Sequence, residues 1–261
     1  MKISVVIPAY NEENYIQKCL DGFLAQEVPP DEIIVVDNNS TDTTADIVKK
    51  YPGVRLVKQP IQGMTPARNK GFDTAQYDII ARTDADTIVS PDWVKKIKEA
   101  FEKDSILIAL SGPSIIPSTV DDEALSRIQS HLFFRSYNSS FKYLVGHHVL
   151  YGPNMAIRKT AWDKIRDEVC LDDKKVHEDV DLAIHIGTIG KIYFDSRLIV
   201  SASSRRLTKL KTYYEYPYRY LRTIQHHKAP MDRGQLMKSM NPENFLKKNK
   251  YTRKFFEPAR H

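Results

Sequence analysis

The first hundred residues alternate short runs rich in valine and isoleucine with amphipathic stretches, and this alternation limits the fold more than any other feature. It is typical of βαβ units wound around a mainly parallel sheet. The predicted strands lie near residues 3–7, 33–36, 54–57 and 79–81, each buried on both faces. The predicted helices lie near residues 15–25, 43–50 and 66–75, the last opening at Pro66. We therefore expect an α/β fold that binds its ligand at the carboxyl ends of the strands.

Beyond this region the alternation loosens and the predicted elements are less regular. They are a strand near residues 106–110, a helix over 122–141, a strand over 155–158, a helix over 178–189 closed by Gly190, and a strand over 191–194. With 261 residues, the chain is long enough for one large α/β domain and a short appendage. We expect the domain to end near residue 206 and residues 207–261 to form the appendage.

The appendage is basic and rich in aromatic residues. The net charge of the chain is +6, yet residues 203–261 hold 15 Lys and Arg against 4 Asp and Glu, which leaves 24 basic and 29 acidic residues in the remainder. Residues 209–228 carry tyrosines at helical spacing. They predict a helix that either packs on the core or lies at an anionic membrane surface, reinforced by residues 245–256. Nucleic acid is a third and less favoured partner.

Composition and cysteine usage narrow the class of protein. Apolar residues make up 41% of the chain, which excludes disordered and collagen-like proteins. Cys19 and Cys170 match neither a metal-ligand spacing nor a redox motif. No apolar run approaches the roughly 20 residues that cross a membrane, and Pro8 and Glu12 interrupt the apolar start that a secretory signal requires. We expect a cytoplasmic domain that meets a membrane only at its inner surface, as a peripheral protein.

Polar side chains follow the first two predicted strands. Tyr10 follows the first strand, and Asp37 ends the second. The Asp37 carboxylate can accept hydrogen bonds from a nucleobase or ribose, and Tyr10 offers a flat ring beside them. Ser40 and Asp42 have a simpler explanation, because either can cap the next helix. These strand ends predict a nucleoside pocket beside Asp37.

Two carboxylates, Asp84 and Asp86, follow the fourth predicted strand. In an extended segment, side chains two residues apart point the same way, so both carboxylates can face one cation. Oxygen ligands suit Mg²⁺ or Mn²⁺, which complete their shells with water and substrate phosphates. A solvated pair or a helix cap before Ser90 explains many isolated Asp-x-Asp patterns. The position after the fourth strand favours a metal that binds a nucleoside diphosphate.

Four sequence blocks occur in order in this part of the chain. They are VVIPAYNE at 5–12, VVDNNSTD at 35–42, GMTPARNKG at 63–71 and TDADT at 83–87. Together they resemble the family 2 glycosyltransferases, which have the Rossmann-like GT-A fold. The resemblance implies an inverting transfer from a nucleotide-diphosphate sugar, most often a UDP-sugar. Residues 1–110 would bind this donor, and residues 111–206 would form the acceptor side.

The resemblance also implies roles for individual residues. The nucleoside would be held by Pro8, Ala9, Tyr10, Glu12 and Asp37, and bordered by Gly63, Ala67, Arg68 and Asn69. The diphosphate and its metal would be bound by Asp84, Ala85 and Asp86, with Asp86 as the main metal ligand. Asn38 and Asn39 stand where many members have Asp-Gly, which leaves the preferred base open.

Two later blocks look like the acceptor side of that family, GPNMAIR at 152–158 and HEDVD at 177–181. The first places Gly152 and Asn154 at the acceptor site. An inverting transfer needs a base that takes the proton of the acceptor hydroxyl, and Asp179 is our candidate, with Glu178 beside it. The alternative is that the helix dipole alone favours carboxylates at this helix start. The acceptor would carry a free hydroxyl or be a lipid-linked sugar or polyprenyl phosphate.

Basic residues at the start of the appendage and within it have more than one interpretation. Arg205 and Arg206 either fold over the diphosphate or hold a lipid phosphate through bidentate bonds, or they simply begin the basic surface. His226 and His227 are candidates for a third metal ligand, although surface or packing histidines are commoner.

Two other classes of protein stay open. A nucleotidyltransferase would share the nucleotide-binding sheet and the metal site, but it should have a glycine-rich loop after the first strand, and no glycine lies between Met1 and Asp21. A non-catalytic module would keep the nucleotide pocket without the transfer. Hydrolysis of the donor in the presence of Mn²⁺ would count against this second class.

Overall fold

Strands and helices alternate through most of the chain. The computed structural model describes residues 1–115, 123–203 and 210–227. Its strands are β1 (Ile3–Ala9), β2 (Glu32–Asp37), β3 (Val54–Lys58), β4 (Ile79–Arg82), β5 (Thr87–Val89), β6 (Leu107–Ser111), β7 (Ser114–Ile115), β8 (Met155–Arg158), β9 (Lys191–Phe194) and β10 (Val200–Ala202). Its helices are α1 (Ile16–Leu24), α2 (Thr44–Val48), α3 (Met64–Thr74), α4 (Trp93–Lys103), α5 (Glu123–Val145), α6 (Lys159–Ile165), α7 (Glu178–Ile189) and α8 (Leu210–His226).

Within the described residues, seven strands form the central sheet in the order β3-β2-β1-β4-β8-β6-β9. The strand β1 pairs in parallel with β2 and β4, whereas β8 is antiparallel to both of its neighbours. The chain moves from β1 outward to β3 and then returns to β4 on the other side of β1. Strand order therefore reverses between β1 and β4. In α/β sheets the ligand crevice opens at such a reversal, outside the carboxyl ends of the strands.

Both faces of the central strands are buried. Along β1, Val5 belongs to one hydrophobic cluster, and its neighbour Val6 belongs to the other. Helices α1 and α4 complete the first cluster, where the rings of Phe23 and Trp93 meet edge to face at 5.9 Å. Helices α3, α5, α6, α7 and α8 contribute to the second cluster. Burial on both faces explains why these strands are nearly continuous runs of valine and isoleucine.

Most of the predicted elements are confirmed. The strands near residues 3–7, 33–36, 54–57 and 79–81 are β1 to β4, and the strands over 155–158 and 191–194 are β8 and β9. The helix over 178–189 is α7, and Gly190 follows it. The strand near 106–110 is β6, and the helix over 122–141 is α5, which continues to Val145.

Three details of the sequence-based prediction are wrong. Helix α3 begins at Met64, so Pro66 is its third residue, which the chain tolerates because amides of the first turn have no partner within the helix. The strand β3 is not buried on both faces, because it is an edge strand with Arg55 exposed. A second sheet, β5-β10-β7, was not predicted, since strands of two or three residues show no periodicity.

Helix α8, the described part of the predicted appendage, packs against the core. The Tyr220 ring lies 5.5 Å from the Phe141 ring, and Ile224 is buried. The Thr223 hydroxyl accepts a hydrogen bond from the His177 amide at 2.7 Å, just before α7. Of the two interpretations of this helix, these contacts fit packing on the core; residues 228–261 lie outside the described part of the chain. Among the helices that are described, none is both long and apolar enough to span a membrane.

Gly71 lies where α3 crosses β1, and we expect Gly71→Ala to destabilise the fold. A Cβ there would overlap the Val6 side chain and lie 3.1 Å from Val36. Such overpacking typically lowers the free energy of unfolding by about 1–3 kcal/mol. Gly22→Ala in α1 is the matched control, because its Cβ would meet nothing closer than 3.9 Å and alanine favours the helix by about 0.5–1 kcal/mol. Equal urea midpoints for the two variants would contradict this packing.

Candidate functional site

The loops that follow β1 and β2 are joined by hydrogen bonds at the carboxyl edge of the sheet. The Asn11 amide donates to the Ser40 hydroxyl at 3.1 Å, and Asn11 Oδ1 accepts from the Thr41 amide at 2.8 Å. Asn11 and Asn39 have positive φ angles of 53° and 65°. Asparagine tolerates this region better than most residues do. Asn39 can therefore stand where many members of the resembled family have glycine.

The residues predicted to hold the nucleoside lie along this edge. The set is Pro8, Ala9, Tyr10, Glu12 and Asp37, and Ala9 and Asp37 are register partners at the ends of β1 and β2. Tyr10 is 47% exposed, so its ring is open to a ligand, whereas Asp37 is buried and accepts a hydrogen bond from the Ser40 amide at 3.1 Å. Asp42 accepts bonds from the Thr44 amide and hydroxyl at 2.9 and 2.6 Å, so it contacts the first residue of α2 from the position before the N-cap, Thr43.

A buried asparagine connects the third sequence block to β2. Asn38 donates to the Ile61 carbonyl at 2.7 Å and accepts from the Gly63 amide at 2.8 Å. Gly63 has a φ angle of 147°, which favours glycine. Asp173 accepts hydrogen bonds from the amide and hydroxyl of Thr65 at the start of α3. Sequence reasoning missed Asn38 and Asp173 as positioning residues, because a single polar residue carries no signal of a partner far along the chain.

The guanidinium of Arg82 is the centre of a buried ion network. Arg82 Nη1 donates to the two oxygens of Glu178 at 2.8 and 3.0 Å and to Asp179 at 2.9 Å, and Nη2 donates to Asp84 at 3.1 Å. Arg82 is 1% exposed. Arg68 is 0% exposed and donates to Glu178 Oε2 at 2.8 Å. Two buried cations therefore meet three carboxylates, at the end of β4 and the start of α7.

This network separates the two carboxylates of α7 in acidity. Burial raises the pKa of Asp179, and the negative charge of Glu178 raises it further, against the opposing effect of Arg82. Burial also raises the pKa of Glu178, but the charges of Arg82 and Arg68 outweigh it and hold that pKa below its usual range. Glu178 is therefore a fixed anion. Asp179 is the stronger proton acceptor of the two, which is the property that a general base requires.

The segment before β8 also holds Asp179. The Gly152 amide donates to Asp179 Oδ2 at 2.9 Å. A Cβ at Gly152 would lie 2.6 Å from that oxygen and 3.0 Å from Arg82 Nη2. Any larger residue would thus displace the carboxylate, so the close approach of this segment to the predicted base requires glycine at position 152.

Asn154, the other predicted acceptor residue, is fully buried. Its Oδ1 accepts a hydrogen bond from Trp93 Nε1 at 2.8 Å, and its Nδ2 donates to the carbonyls of Pro113 and Leu198 at 2.9 and 2.7 Å. Each polar atom of the amide is bonded to the protein. Asn154 anchors this segment from inside, and its contact with an acceptor stays a prediction.

Asp84 and Asp86 lie in a turn and not in an extended strand. The strand β4 ends at Arg82, and the Thr87 amide donates to the Asp84 carbonyl at 3.0 Å. The expectation that an extended backbone aligns the two side chains is therefore wrong, because the chain turns here to enter β5. Asp84 is buried, Ala85 is buried, and Asp86 is half-buried.

The charges of both carboxylates nevertheless affect one buried group, because they raise the pKa of the Cys19 thiol. Burial raises the pKa of Cys19, and the charges of Asp86, Asp84 and Glu12 raise it further. The thiol therefore stays protonated, and the ligands offered at this point are carboxylate oxygens. Hard oxygen ligands bind Mn²⁺ or Mg²⁺ better than they bind a soft metal ion. A divalent cation would also neutralise the negative charges of Asp84, Asp86 and Glu12.

Other predicted residues are placed less centrally or lie outside the described residues. Ala67 is buried, and Asn69 accepts bonds from the Arg68 guanidinium at 2.9 and 3.1 Å. Arg68 thus points to Glu178 and Asn69 instead of an open pocket. Arg205 and Arg206 lie outside the described residues, although the Ser203 amide just before them donates to the Asp86 carbonyl at 3.3 Å.

The reversed strand order and the carboxylates at that edge define an α/β protein of the GT-A fold. The model of the family described as glycosyl transferase family 2 matches residues 4–166. Because the match covers more than half of the chain, this chain belongs to that family.

Known proteins give the same picture of the fold. Chondroitin synthase from Pasteurella multocida is 36% identical over 109 residues, which are 40% of this chain and 11% of that protein. The chain therefore spans a small part of the length of the curated relatives it matches. S. aureus TarS in complex with UDP-GlcNAc shares 20% identity and a TM-score of 0.63, with 94% of this chain and 72% of that chain covered. A mannosyltransferase from Pyrobaculum calidifontis in complex with GDP-Man and Mn²⁺ shares 18% identity and a TM-score of 0.64, with 94% and 69% covered.

The ion network should contribute strongly to stability, and we expect Glu178→Gln to lower the free energy of unfolding by about 3–5 kcal/mol. The substitution leaves two buried guanidinium groups without their shared carboxylate. Because the pKa of Glu178 is depressed in the folded state, its contribution is present above the ordinary glutamate pKa and is lost as the pH falls through the folded value. The difference in the free energy of unfolding between Glu178→Gln and the parent should therefore become smaller in acid.

The control for this measurement is Asp46→Asn, whose partner Lys49 and own side chain are both exposed. We expect no measurable change in urea unfolding for this variant. A Glu178→Gln protein as stable at pH 7 as the Asp46→Asn protein would show that the network contributes no net stability.

Proposed function

We propose that this chain is an inverting glycosyltransferase that transfers a sugar from a nucleotide-diphosphate sugar to an acceptor hydroxyl. The observation that carries this proposal is the position of Asp179 at the start of α7, where the Arg82 guanidinium bridges it to Asp84 at the strand-order reversal. Family membership supports glycosyl transfer. The complexes of TarS with UDP-GlcNAc and of the mannosyltransferase with GDP-Man support a nucleotide-sugar donor, with a UDP-sugar as the first choice.

The donor is proposed to lie across the ends of β1, β2 and β4. The exposed Tyr10 ring would stack on the base and Asp37 would bond the nucleoside, while Gly63 borders the pocket. Asp86 and Asp84 would hold Mn²⁺ or Mg²⁺, and the bound ion would neutralise charge on the departing diphosphate. The Mn²⁺ in the mannosyltransferase complex supports a divalent cation.

The transfer is proposed to use Asp179 as its base. Asp179 would take the proton of the acceptor hydroxyl while the hydroxyl oxygen forms a bond to the anomeric carbon. The bond from that carbon to the diphosphate oxygen breaks on the opposite face, and the diphosphate leaves with the electron pair, so the configuration inverts. The Gly152 amide and the Arg82 guanidinium would orient the base, and Glu178 would hold Arg82 in place.

Two variants separate donor binding from chemistry. We expect Asp179→Asn to lower turnover by about 10²–10⁴-fold, which is the usual contribution of a general base, while a UDP-sugar with Mn²⁺ still raises the melting temperature. Asp86→Asn should lose that stabilisation as well as turnover. The measurements are release of the nucleoside diphosphate and a thermal-shift screen of UDP-, GDP- and dTDP-sugars with and without Mn²⁺.

The same experiments test the proposal as a whole. Near-normal turnover of Asp179→Asn would remove this residue as the base, and turnover that survives a chelator would remove the metal. Donor binding without any hydrolysis or transfer would favour a non-catalytic module. Release of pyrophosphate from a nucleoside triphosphate and a sugar phosphate would favour a nucleotidyltransferase.

The acceptor is proposed to be lipid-linked, such as a polyprenyl phosphate or a lipid-linked sugar at a membrane surface. The basic excess of residues 203–261 supports a lipid-linked acceptor. Ser203, which lies two residues before Arg205, donates its amide to the carbonyl of Asp86, and this bond supports the same proposal. Arg205 and Arg206 are proposed to bind the phosphate of this acceptor. A nucleic-acid partner is less favoured.

Vesicle sedimentation tests this contact. We expect the full chain to pellet with vesicles that contain phosphatidylglycerol and to stay in the supernatant with phosphatidylcholine alone, because each basic residue near an anionic surface contributes about 1 kcal/mol. Replacing Lys247, Lys248 and Lys250 with glutamate should abolish pelleting. Equal recovery in the supernatant with both vesicle types would defeat the membrane proposal.

A further inference from the structure

Three side chains of metal-ligand type meet between α7 and the end of α8. Asp181 Oδ1 lies 2.8 Å from His227 Nε2 and 3.9 Å from His185 Nε2. The ligand atoms of all three residues lie within 4.8 Å of one another. Asp181 is fully buried, and the two imidazole rings are partly buried and nearly perpendicular, at 86°. The proposed transfer uses none of these three side chains.

Further contacts orient the members of this cluster. Asp181 Oδ2 accepts a hydrogen bond from the Cys170 amide at 3.0 Å, so Oδ1 is left to face the two rings. His185 Nδ1 lies 3.4 Å from Glu168 Oε2. A carboxylate beside the second ring nitrogen is typical of histidines that bind metals. The arrangement directs His185 Nε2 inward, toward Asp181.

The inward nitrogen of His185 is an unsatisfied buried atom. Nε2 is shielded from solvent and has no hydrogen-bond partner within the described parts of the chain. A buried polar atom without a partner costs about 1–3 kcal/mol, so such atoms call for an explanation. A pair formed by Asp181 and His227 alone leaves this nitrogen unexplained. A cation at the centre of the cluster would satisfy it.

We propose that Asp181, His185 and His227 bind a zinc ion. Zinc takes carboxylate oxygens and imidazole nitrogens at about 2.0–2.2 Å in a tetrahedron, which places ligand atoms roughly 3.3 Å apart. The two observed separations, 2.8 and 3.9 Å, lie on either side of that value. Two imidazoles favour zinc over magnesium or calcium, which prefer oxygen ligands throughout. The fourth position would be left to water.

The zinc ion would fasten α8 to the helix that carries the proposed base. Glu178 and Asp179 are the first two residues of α7, and Asp181 and His185 lie on the same helix. His227 follows the last residue of α8. A bond through zinc between these helices would hold the C-terminal helix against the start of α7, beside the bond between the Thr223 hydroxyl and the His177 amide.

The test is zinc binding by the full chain after treatment with a chelator. We expect competition with a zinc-responsive dye to give one tight zinc ion per chain and zinc to raise the melting temperature. His185→Gln and Asp181→Asn should each weaken zinc binding by more than about tenfold. Glu168→Ala should weaken it by about 10–100-fold, the usual effect of removing a partner of a metal ligand. Because Glu168 is 65% exposed, this variant should fold normally.

Two controls keep the zinc site separate from the Asp84 and Asp86 turn and from general surface binding. A double variant, Asp84→Asn with Asp86→Asn, should keep its tight zinc ion, and so should His131→Gln on the exposed face of α5. Loss of zinc in the double variant would assign the ion to the turn and overturn the proposal. Absence of tight zinc in the parent, or unchanged affinity in His185→Gln, would overturn it as well.

Discussion

The guanidinium of Arg82 determines how the site is arranged. It is 1% exposed, and a buried cation without partners costs several kcal/mol. The end of β4, the turn that holds Asp84 and the start of α7 must therefore meet around it. Arg68 reaches the same carboxylate, Glu178, from α3. The fold around the site is thus constrained by charge as well as by the hydrophobic clusters on both faces of the sheet.

The same contacts give two adjacent carboxylates different properties. Glu178 is held as an anion by the guanidinium groups of Arg82 and Arg68. Asp179 accepts hydrogen bonds from Arg82 and from the Gly152 amide, and the charge of Glu178 repels its anionic form. Their pKa values are shifted in opposite directions, and pairs that differ in this way often divide structural and proton-transfer roles. Geometry and electrostatics therefore favour Asp179 over Glu178 as the base. The sequence motif alone, with its two adjacent carboxylates, does not distinguish them.

Sequence reasoning was most successful where periodicity is long or an end signal is strong. The strands β1, β2 and β4 are buried on both faces and read as apolar runs, and α7 is followed by Gly190. It failed for β5 and β7, which are too short to show a pattern. It also missed the turn between Asp84 and Thr87. An Asp-x-Asp pattern occurs in turns as well as in extended segments, so the pattern does not distinguish them.

The sequence by itself determined the α/β alternation, the edge of the sheet that carries the polar residues, and the family to which the chain belongs. These features are local. A strand buried on two faces is a run of adjacent apolar residues, and the loop at its end is a run of adjacent polar residues. The tertiary structure decided the partners: Arg82 with Glu178 and Asp179, Asn38 with Gly63, and Asp181 with His185 and His227. Most of these partners are many residues apart, and only packing of the helices on the sheet brings their charges within hydrogen-bond distance.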